Sequence, residues 1–186
     1  MVNVSRAFYL DPPDVVARKL LGKLLVRPVE GLAGRIVEVE AYFGEADPSA
    51  HTFAGKTARN AVLFGPPGHA YVYFVYGMYF CLNVSCEPDG RPGGVLFRAL
   101  EPVTGFAGLE ASGPGRLCRA LRVTRDRDNG ADFTDPASEL QIQDDGFEPG
   151  PVVATPRVGI SKDAARLARF LIAGNRYVSG RRVPSV

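Results

Sequence analysis

The 186-residue sequence predicts an α+β fold: a single compact domain with a curved, mainly antiparallel sheet, peripheral helices and a protruding aromatic β-hairpin. Two observations carry the class. Strand segments of period two are mixed with short helical segments, without the strand–helix–strand regularity of a parallel sheet. The length fits one domain, residues 1–186, and at 46% hydrophobic and 23% charged residues the chain can bury a core without staples.

The elements follow in order. Asp11-Pro12-Pro13-Asp14 reads as a helix start, with Asp11 at the N-cap and Pro12 in the first turn. Val15, Val16, Leu20, Leu21, Leu24 and Leu25 recur at helical spacing, the last of them entering a strand. Gly34 to Tyr42 alternates as a strand, placing Ile36, Glu38, Glu40 and Tyr42 on one face and Val37, Val39 and Ala41 on the other. Residues 43–69, rich in Gly, Pro and small polar residues, form a long excursion of the kind that is functional or disordered. Ala70 to Val84 is a second strand region interrupted at Gly77-Met78, and Gly94 to Leu100 a third, ended by Glu101-Pro102. A loop over 103–115, a short helix from Arg116 to Leu121 and a turn-laden loop over 126–136 come next. Val152-Val153 and Arg157 to Ile160 suggest strands, and Asp163 to Phe170 a short helix or turn.

Composition excludes some function classes. No apolar run reaches the roughly 18–20 residues of a membrane span, and Met1 to Phe8 lacks a signal-peptide core, so a cytoplasmic, nucleoid-associated protein with no membrane partner is expected. Cys81, Cys86 and Cys118 lack metal-ligand spacing and read as reduced, packed thiols, so neither metal nor cofactor is expected. Net charge is only +2, yet 18 of the 22 basic residues are Arg. Arg suits phosphate and base recognition, but GC-rich genomes favour it equally, so composition alone does not decide.

Three constellations carry chemistry. Glu38 and Glu40 lie two apart on one strand face; such a pair reads first as a solvated surface, but its apolar flanks and Tyr42 also suit a carboxylate stabilising a sugar cation while a water attacks. In Tyr71 to Phe80, seven of ten residues are aromatic or Met, which fits either a core strand or a surface that stacks on or wedges between bases. Arg98, inside an apolar strand, must be paired or exposed: a partner for Glu101, or a donor orienting a catalytic Glu or its water. Arg116, Arg119, Arg122, Arg125 and Arg127 recur at near-helical spacing, as a solvated face or a phosphate-lining row.

At these residues the chain closely resembles the alkyladenine (3-methyladenine, methylpurine) DNA glycosylase family. The matching stretches are Val16 to Lys23, Gly34 to Tyr42 with His51 nine residues on, Tyr71 to Asn83, Val95 to Pro102, Gly113 to Leu121 and Arg157-Val158-Gly159, which together span nearly the whole chain. The resemblance implies Glu40 as general base and Arg98 as a holder of the nucleophilic water. It implies Tyr42, His51 and Tyr73 as the walls around an extruded base, and Asn83 as the residue that excludes normal guanine. Tyr76, with Met78 beside it, would intercalate in the duplex; Arg59, Arg116 and Arg119 are candidate phosphate contacts. The Pro102–Gly113 segment is shorter than in animal members, and Phe64 to Gly68 also departs from their pattern.

The implied activity is a monofunctional glycosylase acting as a monomer on double-stranded DNA. It would flip damaged purines of the 3-methyladenine, 7-methylguanine, hypoxanthine and ethenoadenine type and hydrolyse the glycosidic bond, leaving an abasic site. No Lys lies in the matched pocket segments, so a Schiff-base lyase step is not expected. Two other classes compete: a non-catalytic damaged-DNA binding module on the same scaffold, and a carbohydrate hydrolase using Glu38 and Glu40 as acid and base.

Overall fold

A computed structural model describes residues 1–180; the last six residues of the expected domain lie outside the described residues. Nine strands form one curled, wholly antiparallel sheet, with few helices around it, as an α+β class requires. In chain order they are β1 (Val2–Asn3), β2 (Leu24–Arg27), β3 (Leu32–Tyr42), β4 (Ala70–Val75), β5 (Tyr79–Cys86), β6 (Gly93–Thr104), β7 (Gln141–Asp144), β8 (Val152–Thr155) and β9 (Arg169–Ile172). The main order is β1-β7-β2-β3-β6-β5-β4, and β9 joins β3 while pairing β8. Among the described residues, three α-helices flank the sheet: α1 (Pro13–Leu20), α2 (Pro114–Ala120) and α3 (Arg125–Asp128). None of the described helices is long and apolar enough to cross a membrane.

Helix α1 starts one residue later than Asp11-Pro12 predicts. Pro12 occupies the N-cap without a side-chain bond, Pro13 takes the first helical position, and Asp11 pairs with Lys19 instead. The helix buries Val16, Ala17 and Leu20 against β3 and β6. Leu24 and Leu25 then belong to β2, as their place at the end of the helical pattern suggested.

Strand β3 is the spine. Its first half pairs with β2, its second half with β9, and β6 runs along almost all of it. Glu38 stands opposite Ala99, one step out of a register that is otherwise the same on either side, so Val37 and Arg98 fall in the irregularity. Such a break re-aims side chains. Ile36 therefore joins Val37, Val39 and Ala41 in the apolar core instead of sharing a face with Glu38 and Glu40.

Other boundaries moved for physical reasons. β6 continues through Pro102 to Thr104, because the register slips beside that proline and β5 has already left the other edge. Arg157 to Ile160 is not a strand, since the chain leaves the sheet after Thr155; a turn does follow Asp163, closed by the Arg166 N–H on its carbonyl at 3.2 Å, but Arg169 and Phe170 already belong to β9. The 126–136 loop begins with the single helical turn α3, capped by Thr124, whose hydroxyl accepts the Arg127 N–H.

The 43–69 excursion is ordered by two buried polar side chains. Asp47 accepts the N–H groups of Phe43 (3.1 Å) and Ser49 (3.0 Å), while Arg157 donates Nη2 to it at 3.0 Å. Asn60 accepts the Thr57 N–H at 2.7 Å and donates to the carbonyls of His51 (2.8 Å) and Gly55 (3.0 Å). Gly44 makes the turn into the loop with φ +64; a Cβ there would lie 2.0 Å from the Pro92 carbonyl oxygen.

A second buried ion pair ties α3 to the sheet. Arg27, wholly buried, donates Nε to the Leu121 carbonyl and Nη2 to Asp128, both at 2.8 Å. Replacing Asp128 with Ala leaves that charge only the longer contact to Glu139 at 3.6 Å, and Asp128→Ala is expected to lose about 3–5 kcal/mol of stability. Urea unfolding checks this: the midpoint should fall with the slope unchanged. A loss below about 1 kcal/mol, the range of an exposed pair, would contradict it.

Candidate active site

Glu40, Tyr42, His51, Arg59, Tyr71, Tyr73, Tyr76, Asn83 and Arg98 all line one cavity of about 550 Å³. They come from β3, the long excursion, the β4–β5 pair and β6, so residues up to 58 positions apart converge only through the sheet. A pocket of this size, part aromatic and part polar, is what a small planar ligand needs.

The floor is charged. Glu40 and Glu38 have no solvent exposure, so the solvated-face reading of the pair is wrong. The cause is β9, which covers the open edge of β3 opposite Glu38, Val39 and Glu40. Glu38 accepts four donors: Arg98 Nε (2.8 Å), Arg169 Nε (2.7 Å), Ser179 Oγ (2.8 Å) and the Ser179 N–H (2.5 Å). Three of these fall on Oε1 and only the Ser179 N–H on Oε2. Glu40 accepts the Val158 N–H at 2.8 Å and the Tyr42 hydroxyl at 3.0 Å, with Arg98 Nη1 3.3 Å away. Glu40 lines the cavity and Glu38 does not, which separates two residues that the sequence left equivalent; with three donors on about four acceptor sites, Glu40 keeps one for a ligand.

Arg98 therefore spans both carboxylates, not Glu101; Glu101 instead accepts a bond from Asn175 at 2.9 Å. Burial works against the Arg98 charge, but Glu40 and Glu38 outweigh it and hold the guanidinium above its ordinary pKa. Arg157, buried with Asp47, lies 4.6 Å from the Tyr42 ring centre and donates to the Ala41 carbonyl, fixing the aromatic beside Glu40.

The walls are neutral aromatics. Burial, the Glu40 charge and the bond to Glu40 push the Tyr42 hydroxyl pKa well up, and burial with the neighbouring Cys81 does the same for Tyr73. His51 meets Tyr73 edge-on at 4.5 Å between ring centres and faces the Tyr71 hydroxyl through Nδ1 at 3.0 Å. Desolvation against these rings, then the Arg59 charge, lowers the imidazole below its ordinary value, so it is neutral at pH 7. Arg59 stacks 5.6 Å from the Tyr73 ring centre. Asn83 donates to the Tyr71 carbonyl at 3.1 Å, fixing the orientation of its amide. Cys81 is a buried free thiol, as are Cys86 and Cys118.

At the rim, β4 and β5 are joined through Tyr76-Gly77-Met78. The Met78 N–H closes the turn on the Val75 carbonyl at 3.1 Å, with Tyr76 at φ +52 and Gly77 at φ +67. Two positive φ values match the twist of a hairpin, but at a tyrosine this costs about 1–2 kcal/mol. Tyr76 is 87% exposed and Met78 66% exposed, while Phe74 and Phe80 pair across the strands beneath them at 5.1 Å.

Not every candidate joins this cluster. Met78 does not line the cavity. Arg116 is ion-paired with Glu110 at 3.0 Å and borders a neighbouring hollow of about 660 Å³; Arg119 is exposed on α2 outside both. Of the row at 116–127, Arg122 and Arg127 both pair with Glu30. Sequence reasoning missed Arg169, Ser179 and the Val158 N–H; Val158 stands in the matched stretch Arg157-Val158-Gly159 but drew no role, and a charged Arg169 within the apolar run Ala168 to Ile172 was a further signal.

The family model of methylpurine-DNA glycosylase matches residues 7–176. A protein of Koribacter versatilis, provisionally named a 3-methyladenine DNA glycosylase, is 58% identical over 198 residues, covering 98% of this chain and 95% of its own length. Proteins given the same provisional name in Methanocella arvoryzae and Burkholderia cenocepacia are 48% and 46% identical, covering 97% and 95% of this chain and 98% and 91% of their own lengths. The chain belongs to the methylpurine-DNA glycosylase family.

Proposed function

We propose that this protein is a monofunctional DNA glycosylase of base excision repair, which extrudes damaged purines from duplex DNA and hydrolyses their N-glycosidic bond with a water activated by Glu40. The observation that carries this reading is the single acceptor site left on Glu40, at the floor of an aromatic cavity beside an exposed tyrosine turn. The relatives' names point to the same class of reaction.

A purine within a duplex is out of reach for chemistry at its sugar, so the nucleotide must rotate out, at a cost of a few kcal/mol. Tyr76, strained and exposed, stacks in the gap it leaves, with Met78 beside it. The extruded base lies between Tyr42, His51 and Tyr73. Alkylated purines such as 3-methyladenine and 7-methylguanine are cationic and gain cation–π attraction from neutral rings; a neutral His51 adds no repulsion. Neutral lesions such as hypoxanthine and ethenoadenine gain stacking alone. Asn83, whose amide donates to the Tyr71 carbonyl, rejects the exocyclic amine of guanine in this reading. Arg59, which lines the cavity, contacts a phosphate in this reading.

The attacking water binds the acceptor site of Glu40 that the Val158 N–H, the Tyr42 hydroxyl and Arg98 leave free. Glu40 accepts its proton while the carboxylate stabilises the developing sugar cation. No lysine lines the cavity among the described residues, which favours hydrolysis over a Schiff-base lyase step.

Three measurements test this reading on a duplex with one hypoxanthine. Glu40→Gln is expected to bind the duplex normally and to lose base release by at least about 100-fold, the usual weight of a general base. Retained release would sink the assignment, and binding without release in the wild-type protein would favour a non-catalytic module. Tyr42→Phe should keep lesion affinity, whereas Tyr42→Ala should weaken it by about 1–3 kcal/mol, one lost stacking contact. Equal behaviour of the two would remove Tyr42 from the pocket wall. Tyr76→Ala should impair processing in duplex DNA more than in a single strand, where no gap needs filling; equal losses on both would exclude a wedge.

A further inference from the structure

The mechanism above gives no part to Glu38, although more of the buried charge converges on it than on Glu40. Its four donors include Arg98 Nε, and Arg98 is the same side chain whose Nη1 lies 3.3 Å from Glu40. A guanidinium is planar and rigid, so fixing Nε fixes the directions in which both terminal nitrogens point. Arg169 and Ser179 in turn fix Glu38. Arg169 donates Nε to it and Nη2 to the Ser179 carbonyl at 3.0 Å. Ser179 bonds Glu38 through both its N–H and its hydroxyl, and Arg98 Nη2 approaches that hydroxyl at 3.4 Å.

We propose that Glu38 is a positioning residue for base release: held by Arg169 and Ser179, it draws Arg98 toward itself and so keeps the last acceptor site of Glu40 available for water. This rests on Glu40 as the general base. The four groups Glu38, Glu40, Arg98 and Arg169 balance in formal charge. Without the charge of Glu38, Arg98 has one carboxylate left and turns onto Glu40 with both terminal nitrogens. A bidentate Arg–carboxylate pair is the strong form of that interaction. It covers the site the water needs. A purely architectural Glu38 would behave otherwise: its loss would lower stability and leave the rate per folded molecule unchanged.

The test is single-turnover base release and binding on a hypoxanthine-containing duplex, with wild type, Glu38→Gln, Arg98→Ala, the double variant and Glu40→Gln in parallel. Glu38→Gln is expected to slow release about 100-fold, the usual effect of a group misplaced near the chemistry, with duplex affinity unchanged. Because Glu38 acts through Arg98, adding Glu38→Gln to Arg98→Ala should slow release by less than about threefold more, the signature of coupled rather than independent sites. A wild-type rate for Glu38→Gln, or the same large loss in both backgrounds, overturns the proposal. If circular dichroism shows Glu38→Gln unfolded, Ser179→Ala takes its place, deleting one donor: a loss of about 5–10-fold with affinity unchanged supports the proposal and an unchanged rate overturns it. Full release by Glu40→Gln would instead defeat the general-base reading itself, a result distinct from inactive Glu40→Gln beside unimpaired Glu38→Gln.

Discussion

Two fully buried carboxylates on one strand are tolerable only because two buried arginines meet them. Taking a charge out of water costs several kcal/mol per ion, and stranding one is worse than replacing the whole set with apolar side chains. The surrounding architecture satisfies that constraint. The irregularity that contains Val37 and Arg98 lets the Arg98 guanidinium reach both carboxylates from the neighbouring strand. The return of β9 along the free edge of β3 brings Arg169, and the chain beyond it brings Ser179. Together they hold one carboxylate away from the cavity and leave the other lining it.

The same logic extends outward to the aromatic pocket. Tyr42 is pinned between Glu40 and the Arg157–Asp47 pair, and Asp47 also orders the first turn of the excursion that carries His51. Packing that fixes Tyr42 therefore also helps fix the loop on which His51 sits. The rim differs in kind: Tyr76 holds a left-handed backbone in full solvent, with no buried contact to offset its strain. Strain of that type at an exposed aromatic fits a surface meant to meet a partner.

Much was legible because it depends on side-chain chemistry. The alternation of Val37, Val39 and Ala41 located the spine strand, the aromatic run at 71–80 located the paired strands β4 and β5, and Glu40, Tyr42, His51, Tyr73, Asn83 and Arg98 do share a cavity. What was misread depends on long-range pairing. β7 reads as polar Gln-Ile-Gln-Asp and is a strand because β1 and β2 flank it. Arg157 looked like strand and is a buried loop residue because Asp47 neutralises it. Pro102 looked like a strand end and is not, because the ladder slips beside it.

By itself the sequence determined the class of fold, the chemical kinds of residue at the site and, through its motifs, the family, since these follow from local periodicity and from residue types in order along the chain. It left Glu38 and Glu40 equivalent, because two carboxylates at positions i and i+2 have the same intrinsic chemistry. Only the tertiary structure distinguished them. Burial against β9, the bonds of Glu38 to Arg169 and Ser179 and the bond of Glu40 to the Val158 N–H come from residues more than 100 positions away, and the fold leaves only Glu40 lining the cavity.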